Sequence, residues 1–148
     1  MKFVVCQIIV FVLIDINHWL HIKLSVKKLL SIIELGGYPD FKELYQSQGY
    51  EVFVESSMRK AFAVLKKQSI DVVVAEFNYQ HTFRDRMSSL ESLIAVVQKN
   101  NAIQLVVLYE REYENHFDKL RAQYQFSAEI AFPVDEEKMR GILTKLDS

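Results

Sequence analysis

Apolar positions along the chain change their period several times, and each change marks an element. Leu29-Leu30-Ser31-Ile32-Ile33 is a short, largely apolar run of the kind that forms a buried strand. Pro39 predicts a helix start, with the helix running through Ser47 and Gly49 just past its end. Tyr50 to Glu55 alternates at period two and reads as a second strand. Ser56 or Ser57 then caps a helix whose apolar positions Met58, Ala61, Phe62 and Leu65 follow helical spacing. Ile70 to Ala75 contains Val72-Val73-Val74, a β-branched run suited to a strand buried on both faces. After a polar, aromatic-rich loop over 77–87, Ser88-Ser89-Leu90-Glu91 has capping-box spacing and opens a helix to about Lys99. Ile103 to Leu108 is a further buried strand, and Glu112 to Tyr124 an amphipathic helix carrying Phe117, Leu120 and Tyr124 on one face. Ser127 to Phe132 forms a fifth strand, and Asp135 caps a last helix through Leu146.

Five strand-then-helix units in sequence predict an α/β fold: a doubly wound, five-stranded parallel sheet with helices on both faces. Such sheets place their working site outside the carboxyl ends of the strands, where the strand order switches direction. That rule alone points to Glu34, Glu76 to Asn78, Tyr109-Glu110 and Phe132-Pro133.

The composition narrows the chemistry. With 148 residues the chain fits one domain (27–148) plus an extension (1–26). Half of the residues are hydrophobic and a quarter charged, so a packed core is expected and disorder as the main state is not. Eighteen basic against nineteen acidic residues give a net charge of -1, which argues against nucleic acid as the partner. Cys6 is the only cysteine, which excludes an internal disulfide or a Cys-based zinc cluster and suits a reducing, cytoplasmic setting. Four glycines leave no room for Gly-rich phosphate loops, and neither a Walker-type loop nor a hydrolase motif occurs. Residues 3–14 form an apolar run broken once by Gln7, short of the roughly 20 residues that span a bilayer. Three readings of it stay open: a segment packed on the domain, a membrane anchor, or sequence absent from the mature protein. The packed segment is preferred over membrane contact.

From Lys27 to Asp147 the chain resembles the receiver domain of bacterial two-component response regulators. Three phrases carry the likeness: Gln48-Gly49-Tyr50-Glu51-Val52 at the turn into the second strand, Ile70 to Glu76 as the third strand, and Phe132-Pro133-Val134 before the final helix. The resemblance implies a flavodoxin-like fold, no enzymatic role, and a place in phosphorelay signal transduction. It also implies where the chemistry should lie, and there the chain departs from the family. The acidic pair that holds Mg²⁺ is reduced to Glu34. The phosphoacceptor position holds Glu76 in place of Asp. Tyr109 aligns with the Ser/Thr of the fourth strand, and Phe132 with the Lys that precedes the final turn. Gly36-Gly37-Tyr38 lengthens the loop after the first strand.

Phosphoryl transfer works by positioning and charge neutralisation, and a Phe in place of the Lys removes a cation that would offset the phosphoryl oxygens. Ordinary aspartyl phosphorylation is therefore not expected. No cofactor or metal is expected, Glu34 and Glu76 offering at most a weak Mg²⁺ site. Glu76 is read either as a mimic of the phosphorylated state or, preferably, as a solvated acid at a strand end. Tyr109 is assigned to packing rather than to the phosphoryl space. Phe132 is expected to plug the former pocket, and its bond to Pro133 is a candidate for the cis form, as in the family. The loop residues Tyr79, Phe83, Arg84 and Arg86 combine aromatics with arginine, the composition of binding hot spots. They either contact a partner or fold back over the vacated pocket. The four histidines are too scattered to complete a metal site. The expected function is a degenerate, stand-alone receiver binding another signalling protein, a histidine kinase or a regulator, or a second copy of itself. The alternatives are an atypical phosphorelay receiver and a membrane-tethered adaptor.

Overall fold

The computed structural model describes residues 26–79 and 88–148. Ten elements alternate in the order that the periodicities predict: β1 (Lys28–Ile32), α1 (Lys42–Ser47), β2 (Glu51–Glu55), α2 (Met58–Lys67), β3 (Val72–Glu76), α3 (Ser88–Gln98), β4 (Gln104–Tyr109), α4 (Glu114–Arg121), β5 (Ala128–Ala131) and α5 (Glu136–Leu146). All strand pairings are parallel, and the sheet order is β2-β1-β3-β4-β5. This is the flavodoxin-like winding, whose direction reverses at β1 and β3.

Alternation along the strands splits the core into two layers. On one face Leu30, Val73, Leu105 and Val107 meet α2, α3 and α4, with Phe117 and Leu120 fully buried. On the other face Leu29, Val72, Val74, Val106 and Leu108 meet α1 and α5 through Leu44, Tyr45, Met139 and Leu143. The only buried polar side chain among the described residues is Ser31, which bonds the Tyr45 hydroxyl.

Two helix starts differ from expectation. Pro39 does not open α1; the helix begins at Lys42, after Asp40 Oδ1 accepts the Lys42 N–H at 2.9 Å, so Pro39 belongs to the approach loop. The segment expected as one helix from Glu112 divides into a 3₁₀ turn over Arg111–Tyr113 and α4. The tighter turn begins directly behind Tyr109, where the chain must leave a buried strand end within one residue. The α1 terminus is built as expected: Gly49 at φ +88° donates to Gln46 O and Tyr50 to Tyr45 O, a Schellman arrangement that needs a left-handed residue. The predicted caps at Ser57 and Asp135 are present, their side chains accepting from Lys60 N–H (3.4 Å) and Lys138 N–H (2.8 Å). The cap expected at Ser88 falls outside the described side chains. No helix among the described residues is long and apolar enough to cross a membrane.

Candidate functional site

The carboxyl ends of β1, β3, β4 and β5 bring together Glu34, Glu76, Glu110, Phe132 and Pro133, residues scattered over a hundred positions of sequence. Glu76 closes β3. Its Oε2 accepts the backbone N–H groups of Glu34 (3.0 Å) and Leu35 (3.2 Å), tying the end of β3 to the loop that leaves β1. Glu76 is thus not the solvated acid expected. It is half-buried and already bonded, because two otherwise unpaired N–H groups of the β1 exit face it.

Glu34 is committed as well. Its Oε1 accepts the Met58 N–H at 3.0 Å, so it supplements Ser57 as a cap for α2. The Glu34 carboxylate thus lies at the positive end of a helix. Among the described residues no group of three His, Cys, Asp or Glu side chains could hold a metal ion.

A residue that the strand-end reasoning passed over also packs at this edge. Gly36 and Gly37, at φ +80° and +86°, turn the lengthened loop back toward the sheet, a path that β-carbons disfavour at both positions. Tyr38 follows them and sets its ring edge-on to Phe132, centroids 5.5 Å apart. Its hydroxyl is buried without a hydrogen-bond partner among the described residues. Burial, reinforced by the charges of Glu76 and Glu110, pushes that hydroxyl well above the usual phenol range. Phe132 is not the buried plug expected: it remains 39% exposed and serves as the wall against which Tyr38 packs. The signal available in sequence was the Gly-Gly-aromatic insertion itself, since paired glycines admit a backbone path closed to other residues.

The Phe132–Pro133 peptide bond is cis, as the family likeness suggested. Beside it the Lys138 ammonium donates to Pro133 O at 3.1 Å, a contact that strand-end reasoning could not supply because Lys138 lies in the first turn of α5.

Tyr109 packs in the core and not in the site. Its ring stacks on Phe117 at 4.7 Å, and its hydroxyl donates to Glu114 Oε1 at 3.3 Å rather than to bulk water. Tyr79 stacks on His116, centroids 3.6 Å apart and 14° from parallel, with Tyr113 also adjacent. That aromatic therefore folds onto the start of α4. Phe83, Arg84 and Arg86 lie outside the described residues, as do Cys6, His18, His21 and His81.

Glu76 is the titrating group of the site. Burial raises its carboxyl above the ordinary 4.5; the Leu35 and Glu34 N–H groups oppose this, and the Glu34 and Glu110 charges add to it. The folded state then keeps a proton that the unfolded chain releases as pH rises past 4.5. This group's contribution to stability is full in acid and is lost as pH rises through its elevated folded value. Glu76→Gln removes the ionisation but keeps an oxygen for both N–H groups. The variant is expected to match or exceed the parent in stability at neutral pH, with the difference shrinking toward pH 4.5, in urea denaturation at stepped pH. Parallel stability curves would contradict the assignment.

With this geometry in hand, the fold can be placed among known proteins. No protein-family model matches the chain, and no curated protein matches it. Solved structures do. A response regulator receiver domain protein from Clostridium thermocellum superposes with a TM-score of 0.62 at 18% identity, over 81% of this chain and 93% of that one. A CheY-like receiver domain protein from Methanospirillum hungatei gives 0.62 at 19% identity, over 83% and 95%. A response regulator protein from Thermotoga maritima, solved in complex with Mg²⁺ and BeF, gives 0.58 at 16%, over 81% and 98%. The chain has the receiver fold. At these identities the likeness concerns the backbone, and the chemistry must be argued from this chain's own side chains.

Proposed function

We propose that this chain is a receiver-fold interaction module of two-component-type signalling, working in the cytoplasm through protein contact and without an aspartyl-phosphate cycle. The observation that carries the reading is the commitment of Glu76: the residue closing β3 holds two backbone N–H groups, and Tyr38 packs beside it against Phe132. A phosphoryl group on Glu76 would stand beside the negative charges of Glu34 and Glu110. Phe132 stands where the family likeness places a Lys, which removes a cation that would offset that charge. Signal would then be carried by shape, through the face of α5 or the loop that begins at Tyr79, to a histidine kinase, another regulator or a second copy of the chain.

The expected outcome of incubating the full chain with acetyl phosphate and Mg²⁺ is an unchanged intact mass. A phosphoryl adduct mapped to Glu76 would favour the atypical phosphorelay reading and overturn the present one. The Mg²⁺–BeF complex of the Thermotoga maritima relative sets the comparison: addition of beryllium fluoride and Mg²⁺ to this chain is expected to leave its melting temperature unchanged.

A further inference from the structure

At the far edge of the sheet from β5, β2 has no outer neighbour among the described residues. The Glu51 N–H bonds Lys27 O, and Glu55 O receives the Ile33 N–H, so the backbone groups of Glu51, Phe53 and Glu55 face β1. Alternation in a parallel strand then turns the N–H and C=O groups of Val52 and Val54 outward. Edge strands are ordinarily protected by covering elements, bulges or inward charge. Here α1 is only six residues long, and Val54 stays 49% exposed.

The flank of this edge is strongly basic. Helix α2 carries Arg59, Lys60, Lys66 and Lys67 and no acid, in a chain of net charge -1. None of the four joins a salt bridge among the described residues. Between α2 and β2 lies a groove of about 280 Å³ with Phe53 and Val64 in its floor and Lys60, Lys67 and Glu55 on its rim. Of the two acids on β2, Glu51 is paired with Lys28 at 3.7 Å, and in the groove Glu55 stands with Lys60 and Lys67.

We propose that this edge takes an acidic peptide segment of a partner protein as an additional strand. The outward groups of Val52 and Val54 supply the main-chain ladder, the Phe53 groove takes an apolar side chain, and Lys60 and Lys67 receive carboxylates on the same face. The surface is separate from the carboxyl-end site, and the inference stands whether or not that site is chemically silent.

The probe is the extended peptide acetyl-Ser-Glu-Thr-Leu-Thr-Glu-Ser-amide, whose two Glu and central Leu share one face of a strand, with its Lys-for-Glu counterpart as control, titrated into the full chain by NMR. The acidic peptide is expected to shift the Val52 to Glu55 amides, to slow hydrogen exchange at Val52 and Val54, and to weaken as salt rises. Lys60→Glu with Lys67→Glu is expected to reduce affinity about tenfold or more, equivalent to about 1.4 kcal/mol, and both sites are exposed, so the fold is kept. Val54→Pro removes one outward donor at a position where an edge strand tolerates proline, and is expected to abolish binding. Equal binding of the basic peptide, shifts elsewhere, or no binding would overturn the proposal. So would protection of the Val52 and Val54 amides in the free full chain, since the edge would then already be paired by residues of the chain itself or by a second copy.

Discussion

A Phe117→Ala variant is expected to lose about 3–5 kcal/mol of stability, the range for truncating a fully buried aromatic. Phe117 is the hub of one core layer. Tyr109, Phe77 and Phe126 surround its ring at 4.7, 5.1 and 5.5 Å, and the Arg121 guanidinium lies over it at 4.6 Å. Those neighbours belong to β4, the β3 exit, the α4–β5 connection and α4. No single one can move into the space without leaving its own element, so a cavity remains. Phe117→Leu retains most of the volume and is expected to cost less than about 1.5 kcal/mol. Urea denaturation followed by circular dichroism measures both. Similar losses for the two variants would mean that ring stacking, and not filled volume, holds this layer.

The second large effect is expected at Arg121. Its guanidinium donates to Asp118 Oδ1 (2.6 Å), Glu129 Oε2 (2.7 Å) and Glu114 Oε1 (3.3 Å), and it lies 4.8 Å from the centre of the Tyr109 ring. One cation thus joins α4 to β5 and covers the aromatic stack. Exposed ion pairs contribute little singly, about 0.2–1 kcal/mol, and Asp118 and Glu114 are 55% and 46% exposed. Three shared on one planar group, with ring contacts beneath it, do more. Arg121→Ala also leaves three carboxylates facing one another, and a loss of about 2 kcal/mol is expected. Arg121→Lys keeps the charge but cannot serve the three acceptors and the ring together, and should recover less than half of that loss. High salt should narrow the gap between parent and Ala variant; a gap insensitive to salt would assign the effect to packing.

Both residues sit in the α4–β5 region, where the chain leaves Tyr109 by a 3₁₀ turn. Together with the buried Phe117 and Leu120, this network fixes α4 against the sheet. The site at the carboxyl edge is built differently, from contacts to backbone. Glu76 bonds backbone N–H groups at the β1 exit, and Glu34 one at the start of α2.

Much of the fold was legible because each element announces itself locally. The valines of β3, the alternation of β2 and the caps at Ser57 and Asp135 are short-range signals, governed by side-chain period and by unpaired N–H groups. From those the parallel winding follows, and with it the strand ends at which Glu34, Glu76 and Phe132 meet. Which side chain packs on Phe132 was not legible. Tyr38 and Phe132 are ninety-four positions apart, and their contact depends on how far the Gly36-Gly37 turn carries the chain back over the sheet. The partners of Glu76 were hidden for the same reason: an N–H group of Glu34 becomes an acceptor's partner only once β1 and β3 lie side by side.

What the amino-acid order determined by itself is the succession of elements, the parallel winding with its two-layered core, and which residues stand at the strand ends. What only the tertiary structure decided is the use to which those residues are put. Periodicity reports burial, a property each residue shows to its near neighbours. Hydrogen bonds and ring contacts across the sheet depend on distances that exist only after the strands have paired.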